Sequence, residues 1–134
     1  MTGGCHCGAV RVTIPAKPDY INLCDCSLCA KSGGAWGYFD AGDVKVEGET
    51  SAYRRSDMAQ PAVELHFCPQ CGTTTHWVGI PYTAAGRSGV NVRIFEPEDF
   101  EGIEARFLDG RNWTGSSAPA RKRRVGIVGE DVFL

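Results

Sequence analysis

The 134-residue chain has no long apolar run, no internal repeat of fixed period and almost no net charge. A membrane helix needs about 20 consecutive apolar residues, and none is present. The opening MTGGCHCGAV reaches glycine and cysteine at once, so no basic start is followed by the apolar stretch of a signal peptide. A cytoplasmic address is the expectation. A formal charge of -2, with a pI near 5.9, argues against a chain whose main task is to grip nucleic acid through a broad basic face. The length supports one hydrophobic core and is too short for two ordinary domains. Long helices are also missing from the pattern. The apolar stretches are short and often β-branched, and 17 glycines and 7 prolines punctuate them, which predicts a mostly β fold.

AVRVTIP (9–15) alternates, placing Val10, Val12 and Ile14 on one face and Arg11 and Thr13 on the other, as a half-buried strand requires. YINLC (20–24) leads into a cysteine cluster. SLCAKSGG (27–34) has room for about two helical turns before its glycines stop it. WGYFD (36–40), VKVEG (44–48) and SAYRRS (51–56) read as strands, and VELHFC (63–68) with TTTHWVGI (73–80) as a hairpin. YTAAGRSG (82–89) reads as a flexible connection to VNVRIF (90–95), and Pro97 suits the first position of a short helical turn. IEARFLD (103–109) is the expected last strand of a domain spanning 1–115. Residues 116–134 are expected to form a C-terminal tail or one last strand, with Arg121–Arg124 (RKRR) as a solvated basic run rather than a phosphate contact.

Seven cysteines are the conspicuous presence. Disulfides rarely persist in the expected compartment, and the odd count points to metal or redox chemistry instead. They fall in three groups: Cys5 with Cys7; Cys24, Cys26 and Cys29; and Cys68 with Cys71. FCPQCG (67–72) is a zinc knuckle by spacing and composition: two thiolates can face one ion, Pro69 sets the turn and Gly72 ends it. A knuckle supplies two ligands, and CHCG (5–8) offers two more if its glycines bend the chain. In a flat strand residues two apart stand almost 7 Å apart, about too far for neighbouring ligands. Four sulphurs in one closed site leave Cys24, Cys26 and Cys29 for a second site with one position unfilled by thiolate, as a catalytic zinc keeps. Alternatives remain at this level. The second set could be a structural zinc completed by His6, His66 or His76, a redox pair at Cys26 and Cys29, or part of an iron–sulphur site. The groups could also be mixed differently between two ions.

Taken in order, GGCHCGAV, CDCSLCAKSGGAWGYF and FCPQCGTTTHW resemble the glutathione-dependent formaldehyde-activating enzyme family, which includes centromere protein V. The resemblance covers roughly residues 3–113, and ARFLDGRNW (105–113) looks like the family's late strand. It implies a β-tent of short antiparallel sheets with two zincs. The structural zinc would map to Cys5, Cys7, Cys68 and Cys71, and the catalytic zinc to Cys24, Cys26 and Cys29. The implied activity is the joining of glutathione and formaldehyde to S-(hydroxymethyl)glutathione, a carbon–sulphur lyase reaction run in reverse. A small thiol and an aldehyde are then the expected partners.

Zinc held by three thiolates carries a net charge of about -1 and is a weaker Lewis acid than zinc on neutral imidazoles, so a substrate thiol suits its fourth position better than water. Lys31, Arg54, Arg55, Arg87 and Arg111 are candidate partners for substrate carboxylates, His66 and His76 candidate proton shuttles, and Trp36, Tyr38 and Phe39 candidate pocket walls. The competing function is a non-catalytic binding module in which both zincs are structural.

Overall fold

The computed structural model describes residues 1–80, 86–113 and 119–134, and these form a mostly β structure with a single short α-helix. Residues 82–85 of the expected flexible connection and 116–118 of the expected C-terminal tail or strand lie outside the described residues. Among the described residues eleven strands make two sheets. The smaller joins β1 (Thr2–Gly4), β2 (Arg11–Thr13) and β5 (Lys45–Glu47) in the order β1-β2-β5. The larger contains β3 (Tyr20–Cys24), β4 (Trp36–Asp40), β6 (Ser51–Arg54), β7 (Val63–Phe67), β8 (Thr74–Gly79), β9 (Arg87–Asn91), β10 (Glu104–Leu108) and β11 (Lys122–Ile127). Its order is β11-β10-β3-β4-β9-β8-β7-β6. No helix among the described residues is long and apolar enough to cross a membrane.

The alternation in 9–15 acts as written: Val10, Val12 and Ile14 are buried and Arg11 is exposed. Val12 and Ile14 join Ile21, Val90 and Phe100 in the main core, where Phe95 and Phe100 meet edge to face with centroids 5.6 Å apart. Val10 instead packs with Cys5 and Cys68 in a separate small cluster. The 90–95 segment divides: β9 ends at Asn91, and Val92–Ile94 turn in a 3-10 helix whose first residue donates its amide to Ala35 O.

Antiparallel pairing dominates, with one difference from the expected antiparallel sheets: β3 and β10 run parallel, in a register that sets Leu108 beside Cys24. Two parallel strands that end level deliver their following loops to the same place, here residues 25–26 and 109–113. Of the two expected forms of the C-terminal segment, the basic run takes the last strand. Lys122, Arg123 and Arg124 lie in β11, paired antiparallel to β10. Their partners explain it: Arg124 stacks over the Phe107 ring at 3.6 Å, and Arg121 and Arg123 bind the carboxylate of Asp109.

On the β7–β8 hairpin the opposed His66 and His76 rings stack 4.6 Å apart. Burial, with His66 alongside, pushes the His76 imidazole down to about 4 from an ordinary 6.5. Between those values the unfolded chain holds a proton that the native state does not, so stability falls as the pH drops through this window. Denaturant midpoints at pH 7 and pH 5 are expected to decline more steeply for the wild type than for His76→Phe. Equal declines would contradict this, since protonation of the cysteines is common to both proteins.

Candidate metal centres

The first cysteine group gains its bend from a tight loop. Cys5 N donates to Val10 O at 2.9 Å, Gly8 N returns to Cys5 O at 2.9 Å, and Val10 N donates to Cys5 Sγ at 3.2 Å. The knuckle mirrors it: Gly72 N donates to Cys68 O at 2.9 Å and Cys68 N to Thr73 O at 3.0 Å. Gly8 and Gly72 sit at φ 78° and 75°, where a side chain is disfavoured. His6 N reaches across to Thr73 Oγ1 at 3.3 Å, stitching loop to hairpin. The sulphurs of Cys5, Cys7, Cys68 and Cys71 come together within 4.8 Å of one another. Cys5 and Cys7 Sγ stand 3.6 Å apart, and Cys7 and Cys68 Sγ 3.7 Å. Four sulphurs each about 2.3 Å from one ion, tetrahedrally arranged, stand about 3.8 Å apart. The spacing fits a closed zinc site.

The second group lies at the end of β3 and the start of α1 (Ser27–Ser32), where Cys26 is the N-cap and its sulphur accepts from Cys29 N at 3.4 Å. Cys24, Cys26 and Cys29 bring their sulphurs within 4.8 Å, and no histidine, aspartate or glutamate of the described residues joins either set. His6, His66 and His76 therefore complete neither site. Trp36, placed by the Asn22–Trp36 register of β3 and β4, is buried and donates its indole N–H to Cys29 Sγ at 3.3 Å. Hydrogen bonds from Cys24 and Cys29, with the amides of Cys29 and Leu28, push the Cys26 thiol down to about 2, while the contact with Cys26 raises Cys24, and those with Cys24 and Cys26 raise Cys29. Three sulphurs this close cannot all ionise without a cation among them. The donor set is thus suited to a soft divalent metal.

A cavity of about 610 Å³ opens beside Cys26, with Lys31, Arg55 and Arg111 on its walls and Met58 and Trp113 as its apolar side. Of the five candidate cations, three converge here. Arg54 pairs with Glu64 at 2.7 Å and Arg87 with Asp40 at 3.5 Å, both elsewhere. Arg55 is held by a bidentate pair with Asp57, both contacts 2.7 Å, and by Ser27 Oγ at 3.0 Å. That network anchors the β6–β7 loop to α1. Lys31 has no ion-pair partner among the described residues. Trp36 contacts the cluster rather than lining the cavity, Phe39 packs against the main core, and the Tyr38 hydroxyl accepts from Asn22 Nδ2 at 3.0 Å.

Sequence reasoning singled out Arg111 and the 105–113 stretch but not that Asp109 and Gly110 roof this site. Asp109, only 6% exposed, and Gly110 follow β10 and meet the cysteine loop that follows β3. The one local signal was the Asp-Gly turn dipeptide, which marks a bend and not its neighbours. Gly110 approaches the cluster so closely that an added methyl would overlap Cys24 Sγ and stand 2.9 Å from Cys26 N. Gly110→Ala is therefore expected to displace the three-cysteine cluster and lower the metal content relative to the wild type, with the four-cysteine set left in place. Metal analysis of both proteins after dialysis checks this; a variant that retains as much metal as the wild type would contradict it.

Comparison with known proteins gives a consistent picture. The family model of the glutathione-dependent formaldehyde-activating enzyme matches residues 1–105. A Halomonas elongata protein, provisionally named as a glutathione-dependent formaldehyde-activating enzyme, is 38% identical over 90 residues, or 60% of this chain and 57% of its own length. The match thus spans little more than half of that relative. A crystal structure of a Rhodobacter sphaeroides protein superposes with a TM-score of 0.62 at 29% identity, covering 77% of this chain and 97% of that one.

Proposed function

The chain belongs to the glutathione-dependent formaldehyde-activating enzyme family, and from that premise we propose that it is a zinc-dependent carbon–sulphur lyase-type enzyme acting on the adduct of a small thiol and an aldehyde. S-(hydroxymethyl)glutathione is the adduct in view. Cys5, Cys7, Cys68 and Cys71 would hold a structural zinc, and Cys24, Cys26 and Cys29 a catalytic one. The observation that carries this reading is the three-sulphur cluster beside a cavity with cationic walls.

A zinc held by Cys24, Cys26 and Cys29 would supply a soft Lewis acid that keeps a bound substrate thiol deprotonated and nucleophilic. The chain's own residues do the rest. Lys31 and Arg111 offer cations to the carboxylates of a glutathione-like substrate, and Met58 and Trp113 give its backbone an apolar wall. The Trp36 N–H fixes the orientation of Cys29 Sγ, as outer hydrogen bonds do for metal ligands. In the synthetic direction one carbon–sulphur bond forms at the aldehyde carbon, the carbonyl becomes a hydroxyl, and the thiol proton ends on that oxygen.

Exchange spectroscopy with ¹³C-formaldehyde and glutathione tests the proposal. Zinc-loaded protein is expected to accelerate exchange between free formaldehyde and the adduct at least about 100-fold over the uncatalysed rate, a modest demand on an enzyme. Exchange at the background rate with two zincs bound would leave a stapled binding module as the better reading.

A further inference from the structure

The family match ends at residue 105, yet the roof over the three-cysteine cluster is built by residues beyond it. One side chain of the basic run ties the start of that roof to the cysteine loop. Arg123 Nη2 lies 2.6 Å from Asp109 Oδ1 and 3.2 Å from Asp25 Oδ2, so a single guanidinium bridges the residue before Gly110 and the residue between Cys24 and Cys26. Asp25 passes the contact on: its Oδ1 accepts from Arg111 N at 3.1 Å and its carbonyl from Arg111 Nε at 3.2 Å. Asp109 is tied further by Asn112 Nδ2 at 2.9 Å, Arg121 Nη2 at 3.3 Å, and its own amide donating to Arg121 O at 2.8 Å.

We propose that Arg123 is a positioning residue for the Cys24, Cys26 and Cys29 site, clamping the 109–113 roof against the cysteine loop and so setting the wall of the cavity that a substrate thiol enters. Both carboxylates meet the one nitrogen Nη2, whose two N–H bonds are fixed in the guanidinium plane, a directional control that a lysine ammonium lacks. The clamped segment contributes Gly110, Arg111 and Trp113 to the cavity, so its looseness would be felt where the substrate binds. The substrate half of this proposal rests on the function proposed above; the clamp does not.

The test uses metal-loaded protein and two measurements: amide hydrogen exchange in the 109–113 segment, and glutathione binding by calorimetry. For Arg123→Ala, exchange at Arg111 is expected to quicken about tenfold or more and glutathione affinity to fall about tenfold, the low end of what outer contacts to a metal site contribute. Arg123→Lys, which keeps the charge and guards against a misfolded alanine variant, is expected to fall between. Arg124→Ala removes the stack on Phe107 from the same strand and is expected to change neither. Unchanged exchange in Arg123→Ala would overturn the clamp. Faster exchange with undiminished glutathione affinity would overturn the positioning role. Faster exchange in a protein whose wild type binds no glutathione supports the clamp and counts against the proposed function instead.

Discussion

Replacing Cys68 with serine is expected to unfold the protein. Cys68 is fully buried, packs with Cys5 and Val10, and joins the N-terminal loop to the β7–β8 hairpin through the four-sulphur set. A structural zinc contributes on the order of 10 kcal/mol to folding in small zinc-dependent peptides. A domain of this kind has a net stability of about 5–15 kcal/mol, so loss of a zinc held by these four sulphurs would remove most of it. The small cluster of Cys5, Val10 and Cys68 has no other large side chain to compensate. Far-ultraviolet dichroism and thermal melting of Cys68→Ser should show a broad, non-cooperative transition with zinc content well below two equivalents. A cooperative melt within a few degrees of the wild type would show that these sulphurs do not staple the fold.

Cys26→Ser is expected to do the opposite. Cys26 caps α1, and serine is itself a favoured cap whose hydroxyl can accept from Cys29 N, so the helix keeps its start. Only the third sulphur of the open set disappears. Exchange activity is expected to fall by about three orders of magnitude, about 4 kcal/mol in the barrier, while the melting temperature moves by only a few degrees. A parallel loss of folding and activity would mark this cluster as a second staple. The contrast with Cys68 comes from location: one cysteine links distant segments, whereas the other lies in a loop already fixed by β3 and α1.

The three cysteine groups were legible because ligand spacing is local, whereas which groups share a site came only with the resemblance. The knuckle, the CHCG loop and the helix opening at Cys26 each occupy a few residues, and short-range turn chemistry decides them. Alternation likewise marked Val10, Val12 and Ile14 and the hairpin strands. What escaped was long-range pairing. Nothing in YINLC or IEARFLD says that they lie side by side in parallel, since each is a short apolar stretch that could pair in several ways. The site's roof followed from that pairing and was hidden with it. RKRR read as solvated for the same reason: a run of like charge looks unpartnered until the fold brings Asp109 and Asp25 to it. The three converging cations could not be chosen from five because charge carries no address in sequence.

X-ray absorption at the zinc edge, combined with anomalous diffraction from crystals of the metal-loaded protein, examines the central claim directly. Two zincs are expected: one bound by the sulphurs of Cys5, Cys7, Cys68 and Cys71, the other by those of Cys24, Cys26 and Cys29 with a single exchangeable light atom that a glutathione sulphur replaces on soaking. A second zinc whose every coordination place is filled by protein atoms, or three-cysteine sulphurs without any metal at full zinc supply, would contradict the account.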